Sequence, residues 1–335
     1  MRIALAGAAI LAVFSAPLAA HESADDELAA LTDGYYKYQI EQSGRIEEAD
    51  GSTSQGNRLA SVTPAAFEAR AAKAAEFLAR LEELDTDEFS DDARIDAAVF
   101  RHLLETQIGD ARFREWEMPF DSDNNFWSYL AGQRGFQTVE EYERYIARMR
   151  DIPRFFAEQK ANARDGLRRG FSVPRVTLEG RDASLAAYVV EDPESSPFWR
   201  PFVQMPARFD AAVAADLATR ARDAIANDVT PAYADFLDFF RTEYLPQTRT
   251  TLGASDTPDG AAYYQQQIEE FTTLDLTADE IHRIGLDEVA RITAAMEAVK
   301  EEAGFDATLQ EFIRFLRTDP QFVADTPDEL MGVAA

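Results

Sequence analysis

The sequence has no cysteine and only three histidines, His21, His102 and His282. Without cysteine there is no disulfide, no thiolate nucleophile, no Cys-ligated zinc and no iron–sulfur cluster. Lipid attachment through a lipobox cysteine is excluded as well. The shortage of histidine is almost as restrictive. A catalytic zinc takes three protein ligands, commonly with two His four apart on a helix and a Glu between them. No HExxH occurs in the chain. There is no Gly-x-Ser-x-Gly elbow either, and a Ser–His–acid triad would have to recruit one of the same isolated histidines. Basic residues are also scarce: 33 Lys and Arg stand against 61 Asp and Glu, for a formal charge of −28. That balance argues against nucleic acid and anionic membrane surfaces as partners. The acids are spread along the chain and read as a solvated surface.

Long apolar runs are confined to the start. Arg2, the apolar stretch Ile3 to Phe14 and the small residues Ala16 to Ala20 read as a signal peptide over 1–20, with the mature chain starting near His21. The run is too short to span a bilayer, and nothing later approaches that length. The expectation is an exported protein, periplasmic or secreted, without a membrane anchor.

What the chain does have is helical pattern. With 335 residues, 46% of them hydrophobic, it can bury a sizeable core as one large helical domain or two smaller ones. Residues 26–42 read as a helix with a tyrosine cluster (Tyr35, Tyr36, Tyr38), and 47–59 as a polar loop. Thr63-Pro64 opens a helix to about Leu84. Ser90 caps another, to roughly Glu115, with Ile95, Ala98, Val99, His102, Leu103 and Thr106 on one face. Phe100 and Leu104 lie outside that face. So much apolar circumference predicts a buried helix, with His102 as a hydrogen-bonded core residue. The stretch DSDNNFW (121–127) lacks the Gly and Glu that a calcium loop requires. Thr138-Val-Glu-Glu141 is a capping box for a helix to about Ala163. The link GLRRGFSVP has no phosphate-loop pattern, and its Arg168 and Arg169 read as surface charges unless a carboxylate claims them.

Pro193, Pro197, Pro201 and Pro206 make 192–206 a connector pinned by Phe198, Trp199 and Phe202. It divides the chain into 21–191 and 207–335. A long helical pattern from Asp210 to Tyr244 is expected to break near Thr230-Pro231. The fold class is all-α, with minor strand content expected at most around 173–178 and 188–190.

The most strongly patterned stretch runs from Pro258 to Ala303. Thr277-Ala-Asp-Glu280 is a capping box, and Ile281, Ile284, Val289, Ile292, Met296 and Val299 follow as one stripe. At ~100° per residue Glu288 falls between Ile284 and Ile292, and His282 on the stripe's border. A carboxylate inside an apolar face must be paired, protonated or open to a cavity. Either a structural ion pair or a cleft-facing carboxylate meets that requirement. Glu288, His282, Tyr263 and Tyr264 are therefore the candidate cleft-lining residues. No catalytic, cofactor-binding or metal-ligating residue is assigned.

The run YY…EEFTTLDLTADEIHRIGLDEVARI resembles the bacterial "domain of unknown function 885" family of exported proteins. GLRRGFSVPR (166–175), SPFWRPF (196–202) and TPAYADFLDFFRTEYLP (230–246) add weaker resemblance. The resemblance implies a zincin-like helical architecture and an HExxPGH-type zinc motif in the family's second half, which this sequence lacks. Thr326-Pro327-Asp328-Glu329 starts a helix that has few residues left to run, so the chain reads as C-terminally incomplete. On this reading it is the N-terminal substrate-cleft half of a metallopeptidase-like protein. It would be inactive alone and meet peptides, with zinc expected only where the second half is present. Self-association through the exposed truncation surface is a further expectation. A non-catalytic helical binding or scaffolding protein, and a hydrolase with an unrecognised site, stay open as alternatives.

Overall fold

Helix starts depend on one or two side chains, and those read from capping residues are all present. Thr138 accepts from Glu141 N–H (3.2 Å) while the Glu141 carboxylate accepts from Thr138 N–H (2.8 Å). Thr277 and Glu280 make the same reciprocal pair. Thr63 and Ser90 each cap through the hydroxyl. The computed structural model describes residues 23–120, 125–132, 135–324 and 326–334. Residues 1–20, read from the sequence as a signal peptide, His21 and the first part of the Asp/Asn-rich turn (121–124) lie outside them.

The described chain is all-α apart from one small hairpin. It forms two compact units that meet in sequence between Tyr263 and Tyr264. The first unit opens with α1 (Ala24–Gln42), the antiparallel pair β1 (Arg45–Glu47) and β2 (Thr53–Gln55), α2 (Pro64–Glu82) and α3 (Asp91–Phe113). The hairpin interrupts the expected loop over 47–59, of which 48–52 and 56–59 form neither strand nor helix. Asp50 closes its turn by accepting from Ser52 N–H (3.0 Å), and Gly51 takes the left-handed conformation there (φ 80°). Where strand was expected over 173–178 and 188–190 there is none. Pro174 instead starts a single helical turn, Arg175–Leu178, with Thr177 N–H bonded back to the Pro174 carbonyl (3.0 Å).

Next come α4 (Val139–Arg169) and a continuous helical stretch, α5 (residues 211–247). The break expected at Thr230-Pro231 does not occur. Proline lacks the N–H that the preceding turn needs, and the chain absorbs this by widening to a π-turn at Ile225–Val229. A second π-turn, Phe240–Tyr244, precedes Pro246. Between α4 and α5, residues 192–206 fold as short helical turns that bury Phe198, Trp199 and Phe202.

Two apolar clusters fill this unit. The larger joins α4 to α5 through Phe156, Tyr233, Phe236 and Phe240, with Trp127 beneath them. The smaller joins α1, α2 and α3 through Leu28, Leu31, Phe77, Leu81, Phe100 and Leu104. On α3 the core face is therefore the Phe100/Leu104 side. The face expected to be buried carries Ile95, Val99 and Leu103, at 62%, 55% and 55% exposure. His102 is half-buried and hydrogen-bonds to no described residue, so it is not the core histidine expected. Periodicity marked both faces of α3 as apolar, and only packing against α2 selects one.

Ion pairs fix how these helices sit. The Asp151 carboxylate accepts from Leu59 N–H (2.9 Å) and from Arg154 (2.6 Å), and the Glu158 carboxylate accepts from Val62 N–H (2.8 Å). The segment before α2 is thereby clamped to α4. Burial pushes the Asp151 carboxyl up, and the Arg154 and Leu59 bonds more than offset this and hold it below the usual range. Arg169, at the end of α4, reaches buried Glu117 (2.5 Å) and the Phe113 carbonyl (2.9 Å). It is thus a junction residue and not a free surface charge.

The second unit holds most of α6 (Gly260–Thr272), then α7 (Ala278–Glu302), α8 (Leu309–Thr318) and α9 (Pro327–Ala334). Phe312 of α8 is buried, with the Phe305 ring 5.2 Å away. No residue of α7 is buried. Its apolar stripe stays open, with Ile284, Val289, Ile292 and Val299 between 46% and 64% exposed.

Candidate functional site

The four residues read from the sequence as cleft-lining have different surroundings. Tyr263 belongs to the first unit and is buried, its ring packed on Phe113 (5.5 Å) and Phe171 (5.3 Å). Its hydroxyl donates to the Glu115 carboxylate (2.9 Å), so it braces the core. Tyr264, His282 and Glu288 are exposed and belong to the second unit. His282 and Glu288 are six residues apart, about 240° around α7, and do not share a face.

Glu288 is not the buried carboxylate expected. The stripe around it is itself open, and its side chain is 49% exposed and paired with Arg291 one turn on (2.7 Å). An exposed pair at this spacing is worth about 0.2–0.5 kcal/mol. Glu288→Ala and Asp287→Ala should therefore have urea midpoints equivalent to within about 0.5 kcal/mol, followed by far-ultraviolet circular dichroism. A gap above 1 kcal/mol would show that Glu288 has a buried role.

A groove of about 850 Å³ lies elsewhere, between α1 and α3. Its floor exists because α3 has a second apolar face that α2 does not cover. Val99 and Leu103 project there beside Leu28, Tyr35, Tyr36 and Phe100. Tyr35 stands edge-on to Phe77 (5.2 Å) and Phe100 (5.5 Å). Its hydroxyl accepts from Gln39 Nε2 (3.0 Å), which also donates to the Gln107 amide oxygen (3.2 Å). Burial, with Tyr38 nearby, raises the Tyr35 phenol above its ordinary value, so it stays a neutral partner in this network.

Asp25, Asp92, Asp96 and Asp110 also line the groove, and no Lys, Arg or His does. Asp25 ties the helices together by accepting from Ser90 N–H (3.1 Å). Asp92 and Asp96 stand one turn apart on α3, a spacing at which like charges repel. Neither has an ion-pair partner among the described residues. A guest cation between them would relieve that repulsion. The groove was visible in the sequence only as two unconnected signals, the tyrosines of α1 and the Ile95/Val99/Leu103 row. Both pointed equally well to core.

Among the described residues no three His, Asp or Glu side chains are grouped to hold a metal ion. His102 and His282 belong to different units.

Comparison with known proteins adds the following. A family model described as "bacterial protein of unknown function (DUF885)" matches residues 47–334. The match includes α3 but not α1, the other wall of the groove. A crystal structure described as "the putative lipoprotein from Colwellia psychrerythraea" shares the fold with a TM-score of 0.79 at 19% identity. The alignment covers 93% of this chain and 58% of that one, so the chain spans less than two thirds of the Colwellia protein's length. No curated protein matches.

Proposed function

The chain belongs to the bacterial DUF885 family, and from that premise we propose that it binds peptides of mixed apolar and basic character in the groove between α1 and α3. It does so as the substrate-binding part of an exported, metallopeptidase-like protein. The groove carries this reading: an apolar, aromatic floor, with four carboxylates and no Lys, Arg or His among the described residues that line it. Apolar side chains would lose water against Val99, Leu103 and Tyr36, and Lys or Arg would sit between Asp92 and Asp96. Export rests on the Arg2–Ala20 pattern, with the lipoprotein description of the Colwellia structure pointing the same way.

By itself the chain is not a peptidase on this reading, because its three histidines form no HExxH. A scaffolding role has one observation in its favour, the open stripe of Ile284, Val289 and Ile292 on α7, which a second copy could cover.

Fluorescence anisotropy with a labelled Lys/Leu peptide tests the proposal. Binding should weaken as salt rises and should drop at least tenfold in Leu103→Asn, a charge-neutral change at an exposed position that spares the core. The peptide should stay intact by mass spectrometry with or without added zinc. Equal binding by Leu103→Asn would overturn the groove assignment, and zinc-dependent cleavage would overturn the claim of inactivity.

A further inference from the structure

The chain carries a net charge of −28, yet one pocket gathers three arginines. It has a volume of about 330 Å³ and lies among the β1–β2 hairpin, residues 129–132 with Phe136, and the first turns of α4. Arg45, Arg144 and Arg148 line it, with Tyr129, Leu130, Phe136 and Tyr145 as apolar and aromatic wall. It shares no lining residue with the α1–α3 groove.

The arginines elsewhere on α4 show what is ordinary for this helix. Arg150, Arg154, Arg164, Arg168 and Arg169 each pair with a carboxylate. Those in the pocket are less well provided. Arg45 uses its guanidinium on Thr53, through the hydroxyl (2.6 Å) and the carbonyl (3.1 Å). Arg144 touches Glu48 at 3.2 Å, but its buried Nε has no acceptor. Arg148 has no hydrogen bond and no ion pair with any described residue, and its Nε is also buried without an acceptor.

The acid that lines the pocket, Glu141, is already engaged by the N–H groups of Gln137 (2.7 Å) and Thr138 (2.8 Å). Desolvation holds the Arg148 guanidinium below its ordinary range, and neighbouring Arg45 adds to this. Tyr145 and Asp151 act in the opposite direction. Leaving buried N–H groups of a cation without acceptors is destabilising, and such groups are normally satisfied. The two arginines line one small cavity, and their guanidinium groups lack what an oxyanion has, namely acceptor oxygens.

We propose that the pocket formed by Arg45, Arg144 and Arg148 binds the oxyanion, carboxylate or phosphate, of a small organic molecule whose apolar body lies against Phe136 and Tyr129. The volume suits a molecule of roughly amino-acid size and falls at the lower end of ligand cavities. Arg144 and Arg148 stand one turn apart on α4 and can grip the oxygens together, while the hairpin supplies the lid wall through Thr53 and Gln55.

Isothermal titration of the full chain tests this with three probes: benzoate, its neutral analogue benzamide, and inorganic phosphate. Benzoate should bind at least tenfold more tightly than benzamide. The phosphate arm separates the sources: binding tighter than benzoate marks a phosphate-bearing ligand, and weaker binding a carboxylate. Arg148→Gln should lose at least tenfold in anion binding while melting no lower than the parent, since it removes an unmatched buried charge. Arg148→Lys should recover only part of the affinity, because the charge returns without the fork. Failure of both anions to bind at millimolar concentration would overturn the proposal. So would undiminished binding by Arg148→Gln, or a large drop in its melting temperature, which would mark Arg148 as a structural residue.

Discussion

Gly166→Ala is expected to destabilise the first unit by about 3 kcal/mol, although helix propensity alone favours the substitution by about 1 kcal/mol. Gly166 lies near the end of α4, and a Cβ there would stand 2.1 Å from the Glu117 carbonyl oxygen and 2.7 Å from that of Phe171. Both obstacles are backbone, so no side chain can turn aside. Glu117 is itself only 3% exposed and held by Arg169 (2.5 Å) and Arg114 (3.3 Å). Relief would require the end of α3 to move off α4. All three tryptophans, Trp116, Trp127 and Trp199, lie in the first unit, so tryptophan fluorescence during a urea titration reports this unit alone. A midpoint equal to or above the parent's would show that propensity wins and the contact is soft.

A comparable loss, about 4 kcal/mol, is expected for Phe236→Ala. Phe236 is fully buried at the centre of the larger cluster, with ring centroids 5.0 Å from Phe156, 5.4 Å from Phe126 and 6.0 Å from Trp127. Truncation removes a large transfer free energy and leaves a cavity among rings too constrained to fill it. The same fluorescence titration applies, with Leu252→Ala, in the same unit, as control. Leu252 is 71% exposed and should change stability by less than about 0.5 kcal/mol. Losses of similar size in the two variants would contradict the burial on which the core assignment rests.

Such core contacts explain which parts of this protein could be read from its sequence. Capping boxes could be, because Thr138 with Glu141, and Thr277 with Glu280, make a helix start from residues three apart. The all-α class followed from periodicity for the same local reason. The face that α3 buries could not, since Ile95/Val99/Leu103 and Phe100/Leu104 are equally apolar and only α2 discriminates. Nor could the π-turns before Pro231 and Pro246, where packing of α5 keeps a helix continuous through residues that locally end one. Glu288 was placed inside a stripe correctly, but the stripe itself is open. The groove and the arginine pocket were illegible for a related reason: each joins residues far apart in sequence, and neither forms a motif.

The central claim, that α1 and α3 form a peptide site, is tested most directly by hydrogen exchange with and without a saturating Lys/Leu peptide. Slower exchange at residues 28–39 and 96–107, with α7 unchanged, is the predicted result, because the bound peptide covers the Tyr36, Val99 and Leu103 face. Protection confined to α7, or none at either helix despite saturation, would contradict it.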